Sequence, residues 1–217
     1  MEERTQVDYE TEEQQVEALK RWWAENGKAV IAGVVLGVGA IAGWSLWQGH
    51  QERRAVAASD AWSRVEAAAA AGDAATVESL AAELRDDHAN TLYAAYGSLA
   101  AARVAVEAGD LDTAAERLAW AAEEAVQDDV ALIARVRLAR VEGVRGDASA
   151  GLERLPGSYP ESFTGLVEEA RGDLLVATGD LEGARAAYAL ARDSGQAPDP
   201  QTLSMKLDDL ASAAGAS

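Results

Sequence analysis

Cysteine is absent from this chain, and histidine occurs only twice, at His50 and His88. No disulfide framework, thiolate zinc site or cysteine nucleophile is therefore possible, and the histidines are too far apart, and outside any HExxH spacing, to suggest a metal site. Both are read as exposed loop residues. Basic residues are scarce as well: 19 Lys and Arg stand against 37 Asp and Glu, for a net charge of -18. A partner built of phosphates needs clustered Lys and Arg, so nucleic acid is excluded. Aromatic residues make up 6% of the chain, and the alternation of Val, Ile and Thr that marks strands is missing. No Ser-His-Asp set, metal spacing or phosphate loop occurs, so neither an enzyme nor a cofactor is expected.

What is abundant is alanine, inside a hydrophobic share of 49%. Alanine combines the best helix propensity with little volume, so closely packed helices are expected and the fold class is all-α.

One run stands apart. Ala29 to Trp47, nineteen residues, carries no formal charge. At about 1.5 Å per residue it spans roughly 28 Å, close to the ~30 Å apolar thickness of a bilayer. Trp22 and Trp23 precede it, Trp44 and Trp47 close it, and Lys28, Arg53 and Arg54 lie where they can reach headgroups. A removable export signal would explain the small residues Ala55 to Ala57. The long acidic segment ahead of the run and the charges at Glu52, Arg53 and Arg54 argue for a retained anchor instead. Lys20, Arg21 and Lys28 on one side balance Arg53, Arg54 and Arg64 on the other, so charge leaves the orientation tied. Within the run, Gly33 with Gly37 and Gly39 with Gly43 form two GxxxG pairs. With Ala40 they make small-residue faces suited to a second helix.

Upstream, Met1 to Glu10 is polar enough to lack fixed structure, while Thr11 and Gln14 read as a capping box. Val16, Leu19 and Trp23 follow at helical spacing, predicting a short amphipathic helix that ends at Asn26-Gly27. The expected organisation is a tail over 1–28, a membrane span over 29–48 and a soluble domain over 49–217.

In the soluble part Gly-Asp recurs at Gly72, Gly109, Gly146 and Gly179. These spacings suit two-helix repeats, with glycine ending one helix and aspartate capping the next. Seven residues before each glycine stand Val65, Ala102, Ala139 and Gly172; five after stand Val77, Ala114, Gly151 and Ala184. Nine after stand Ala81, Leu118, Leu155 and Tyr188. Small residues where two helices cross, then a bulky one toward the next unit, resemble the tetratricopeptide repeat. Helical pairs are expected near 53–87, 90–126, 128–155 and 160–194, with a capping helix at about 200–212. The result is an α-solenoid of about four hairpins plus a C-terminal cap.

First helices line the groove of such a stack. The register turns Glu66, Arg103, Arg140 and Asp173 toward it, with Tyr96, Leu99, Val106, Ile133 and Val136 as an apolar floor. Pairing of the arginines with surface carboxylates is the competing reading. The RGD at Arg171 to Asp173 is not an adhesion motif, since Gly172 occupies a helix-crossing column.

"EALKRWWAENGKAVIAGVVLGVGAIAGWSLWQGHQ", "RLARV" and "RGDLLVATGDLEGARAAY" together resemble the YfgM family of bacterial proteins, over nearly the whole chain. The resemblance implies a single-pass inner-membrane protein with a cytoplasmic N-terminus and a periplasmic repeat domain. It also implies association with the membrane subunits of the Sec translocon and with the membrane-anchored chaperone and prolyl isomerase PpiD, and a role in handling unfolded exported proteins. No catalytic residue comes with it. An anchored regulator that couples envelope stress to a cytoplasmic response regulator is the alternative function.

Overall fold

The computed structural model describes residues 3–215, with side chains over 14–212. Nine α-helices and no strand occur among the described residues. They form two compact units, Met1–Arg53 and Arg54–Ser217.

The first unit is the greater part of α1, Glu3–Ala70. The helix starts at Glu3, upstream of Thr11, so the expected cap position lies inside it and the polar stretch is helical from Glu3 onward. The Glu, Gln and Arg that fill this stretch are good helix formers. Nor does the helix stop at Asn26-Gly27: Asn26 donates from its side chain to the Trp22 carbonyl within the helix, at 3.0 Å. The apolar run is unburied, with Ile31, Val34, Leu36, Ile41 and Leu46 all more than half exposed. It is the one stretch among the described residues long and apolar enough to cross a membrane. A Cβ added at Gly33, Gly37, Gly39 or Gly43 would meet nothing within 4 Å, so both small-residue faces are open.

The second unit is a stack of hairpins. The end of α1 from Arg54 pairs with α2 (Ala74–Asp87), and α3 (Leu92–Glu107) with α4 (Leu111–Glu124). Next come α5 (Asp128–Val144) with α6 (Ala148–Arg154), and α7 (Thr164–Thr178) with α8 (Leu181–Asp193); α9 (Pro200–Gly215) closes the stack. Each Gly-Asp turn is built alike. Gly72, Gly109, Gly146 and Gly179 have φ of 72°, 79°, 94° and 87°, the left-handed region that glycine enters without penalty. The aspartate N–H returns to the carbonyl five residues back, and its carboxylate accepts the N–H three residues on, at 2.9–3.0 Å. One orphan carbonyl and one orphan N–H are thus satisfied per turn. Only α6 is short, seven residues, because Pro156 and Gly157 follow it.

All twelve residues of the three repeat columns are buried. Steric space explains the small ones. A Cβ at Gly151 would lie 2.5 Å from the Ala139 carbonyl oxygen, and one at Gly172 would lie 2.3 Å from the ring of Tyr188. That ring is itself buried, and its hydroxyl donates to Asp173 at 2.8 Å. The RGD tripeptide accordingly lies within α7 with its glycine packed against a neighbour.

Two expectations follow. Gly172→Ala should destabilise the stack by about 1–3 kcal/mol, since the ring cannot yield without losing its hydrogen bond. Gly157→Ala, in open space, should change stability by less than ~0.5 kcal/mol. Thermal melts of both, followed by helical circular dichroism, make the comparison. The second expectation concerns acid. Hydroxyl and then backbone hydrogen bonds from Thr76, Thr113 and Thr202 hold the carboxyls of Asp73, Asp110 and Asp199 below the ordinary 3.8. A depressed pKa contributes stability that is complete above 3.8 and lost as pH falls through the lowered values. Melts at pH 5 and pH 3 should show that loss, and Asp110→Asn should reduce the difference.

Candidate groove on the first helices

Two adjoining hollows open on the face made by the first helices of the stack. One, of about 600 Å³, lies among Trp62 and Val65 of α1, Tyr96 and Leu99 of α3, and Arg137 of α5. The other, of about 370 Å³, lies among Leu99, Arg103 and Val106 of α3 and Arg137, Arg140 and Val141 of α5. Leu99, Arg103 and Arg137 belong to both, so the two form a continuous groove. Trp62 and Tyr96 are 5.7 Å apart between ring centroids and inclined at 57°, a tilted aromatic pair.

Of the residues expected here, Tyr96, Leu99, Arg103, Val106 and Arg140 line one hollow or both, and Glu66 lines the first. Val136 does not: it is fully enclosed with Leu132 and Val167 and has no surface to offer. Its neighbour Ile133 is half-buried and lines neither hollow.

Asp173 is also committed elsewhere, accepting from Lys206 Nζ at 2.6 Å and from the Tyr188 hydroxyl, with Arg140 at 3.5 Å. Lys206 also donates to Glu169 at 2.8 Å, and Arg140 lies 3.9 Å from the same carboxylate. These two acids and two bases tie α5, α7 and α9 together, and for Arg140 the expected pairing with carboxylates is what the structure contains. Burial and the hydrogen bond to Asp173 push the Tyr188 hydroxyl pKa upward. Burial alone would lower Lys206, but the hydrogen bonds it donates to Asp173 and then Glu169 outweigh it and raise the pKa.

Among the groove residues missed in the sequence, two had a signal. Trp62 occupies the same repeat position, ten before the glycine, as Leu99. Arg137 sits one turn before Arg140 on α5, an i, i+3 pair that must share a face. Partial burial, then the charges of Arg140 and Arg103, lower the pKa of Arg137. Among the described residues no group of three or more His, Asp or Glu is disposed to hold a metal.

A family model described as a tetratricopeptide repeat-like domain matches residues 20–212. The chain is similar to the ancillary SecYEG translocon subunit of Escherichia coli (strain K12), 35% identical over 93% of this chain and 98% of that protein. Its counterpart of the same name from Haemophilus influenzae is 31% identical over 92% and 97%. That from Aggregatibacter actinomycetemcomitans is 29% identical over the same shares. No solved structure matches.

Lys206→Met should loosen α9, because Glu169 has a side chain only 7% exposed and would keep a distant arginine as its cation. Allowing for the partial exposure of Lys206, the expected loss is about 1–3 kcal/mol. Arg64→Ala, which removes a pair whose side chains are 61% and 41% exposed, should cost less than ~0.5 kcal/mol. The raised pKa of Lys206 makes its stabilisation complete below 10.5, lost as pH rises through the folded value. Melts of both variants at pH 7 and of the parent at alkaline pH check magnitude and sign.

Proposed function

Since this chain belongs to the YfgM family, whose repeat-like domain model and translocon-subunit relatives match it almost end to end, we propose that it is a non-enzymatic scaffold of the Sec export machinery. It is a single-pass protein of the bacterial inner membrane, with residues 1–28 in the cytoplasm, 29–48 in the bilayer and 49–217 in the periplasm. The span associates with the membrane subunits of the translocon. The repeat domain works beside the chaperone PpiD on unfolded exported proteins.

One observation carries this reading: similarity to the Escherichia coli subunit covers 98% of that protein. It therefore includes both the anchor and the repeats rather than the repeats alone. Physical chemistry supports each part. An apolar helix wholly unburied in water would be costly, and a bilayer removes that cost. Gly33, Gly37, Gly39, Ala40 and Gly43 let another span come close enough for dispersion contacts to favour pairing. A solenoid needs no reacting group, because a long surface assembled from repeated helices is itself the recognition device.

The test is affinity capture of the tagged full-length chain from membranes solubilised in mild detergent, followed by native electrophoresis. Co-migration with the SecYEG subunits is the expected result, weakened when Gly37 and Gly43 are replaced together by Leu. Migration solely as a free chain under conditions that preserve the translocon would overturn the proposal.

A further inference from the structure

The groove joins an apolar hollow to a cluster of cations in a protein that is otherwise strongly acidic, and that combination narrows what fits. With the groove as the working surface of the scaffold proposed above, its lining defines the chemistry of the guest.

Several arginines elsewhere in the stack are held by short bonds: Arg145 to Asp112 at 2.6 Å, Arg117 to Glu78 at 2.8 Å, Arg185 to the Leu210 carbonyl at 2.8 Å. Others, such as Arg64 at 3.6 Å from Glu83, are held loosely. The groove is different. Arg137 has no carboxylate within ion-pair distance among the described residues. Arg103 has only Glu107, at 4.0 Å, with both side chains more than half exposed. Arg140 is ion-paired through Nη2 with Asp173 at 3.5 Å and Glu169 at 3.9 Å, but neither Nε nor Nη2 has a hydrogen-bond acceptor.

Three guanidiniums on two neighbouring helices thus repel one another, and this repulsion adds to partial burial, the larger cause, in making Arg137 hold its proton less tightly than usual. An anion placed among them removes the repulsion and supplies acceptors that two arginines can bind bidentately. The acidic groups facing the groove are Glu66, on the α1 wall away from α5, and Glu107, at the far end of α3. Beside the cations lie Trp62, Tyr96 and Leu99, the kind of amphipathic surface that anchors a partner's apolar side chain.

We propose that this groove receives a segment of partner polypeptide in which carboxylates flank an aromatic or branched aliphatic residue. The apolar residue occupies the Trp62–Tyr96–Leu99 hollow, and a carboxylate bridges Arg103 and Arg137. A basic segment meets like charge at Arg103 and Arg137. A neutral apolar segment covers Arg137 while leaving it unpaired, which is unfavourable for a desolvated ion. Nucleic acid is repelled by a net charge of -18.

The full-length protein in detergent micelles, applied to arrays of short synthetic peptides, tests this. The arrays carry four sets of equal length: acidic with Phe, basic with Phe, neutral with Phe, and acidic without aromatics. The acidic Phe set should be retained best and lose most with added salt. Charge reversal at both positions, Arg103→Glu with Arg137→Glu, should lower its binding by about tenfold or more and move the preference to the basic set. Arg137→Gln, which changes one exposed side chain, should reduce acidic binding without creating a basic preference. Retention of the basic or neutral set by the unaltered protein, or an unchanged preference after charge reversal, overturns the proposal. Capture with SecYEG is measured in parallel. If that capture persists while the peptide preference fails, the guest assignment falls alone; if capture fails too, the scaffold reading falls with it.

Discussion

Where two helices of a hairpin cross in this chain, nothing larger than valine is accommodated, and at Gly151 and Gly172 not even a methyl group fits. This steric limit accounts for the composition. Packing helices close together lets a chain with 6% aromatic residues bury a core between its hairpins, because Ala against Ala excludes water without needing bulk. It also fixes register. The glycine turn sets where each helix ends, the crossing column sets how two helices meet, and the bulky column sets how one hairpin meets the next. Trp62 and Leu99 reach a common face from the same offset, ten before the glycine, and Arg137 joins them from nine before.

The same residue types act in a second solvent. In water, glycine and alanine allow close approach and the hydrophobic effect drives it. In a bilayer the lipid tails are as apolar as the helix, so small residues at Gly33 and Gly37 have only contact energy and weak polar interactions to exploit. The open faces of the span in this chain suit a partner that is itself a membrane helix, in keeping with the proposed attachment to an export channel. Charge divides in a comparable way. The acidic surface keeps the stack soluble, while Arg140 and Lys206 pair with the buried Glu169 and with Asp173, and Lys206 thereby holds the last helix in place.

Features set by local sequence were legible before the structure. Gly-Asp turns depend on four or five consecutive residues, and the crossing columns depend on fixed offsets from them, so all four hairpins and the closing helix came out within a few residues of where they lie. Features set by approach between distant elements were not. Val136 reads as a groove residue from its offset, but the turn of α5 it occupies is covered by α7, which brings Val167 onto it. Asp173 reads as groove-facing for the same reason; the arrival of α9 with Lys206 claims it instead. The break expected at Asn26-Gly27 relied on a dipeptide that often ends helices. Asn26 there bonds to its own helix, and nothing after it caps an end.

The absence of cysteine makes the central claim, that a membrane-anchored stack works through the face of its first helices, directly measurable. Single cysteines placed at Tyr96 or Arg137 in the groove, and at the exposed Glu116 on the outer helix α4, can be labelled with a membrane-impermeant maleimide, in native membranes and again after detergent extraction. The account predicts that the groove cysteines are shielded in membranes and become reactive on extraction, while Glu116→Cys reacts equally in both. Groove cysteines as reactive in membranes as in detergent, with shielding confined to α4, would contradict it.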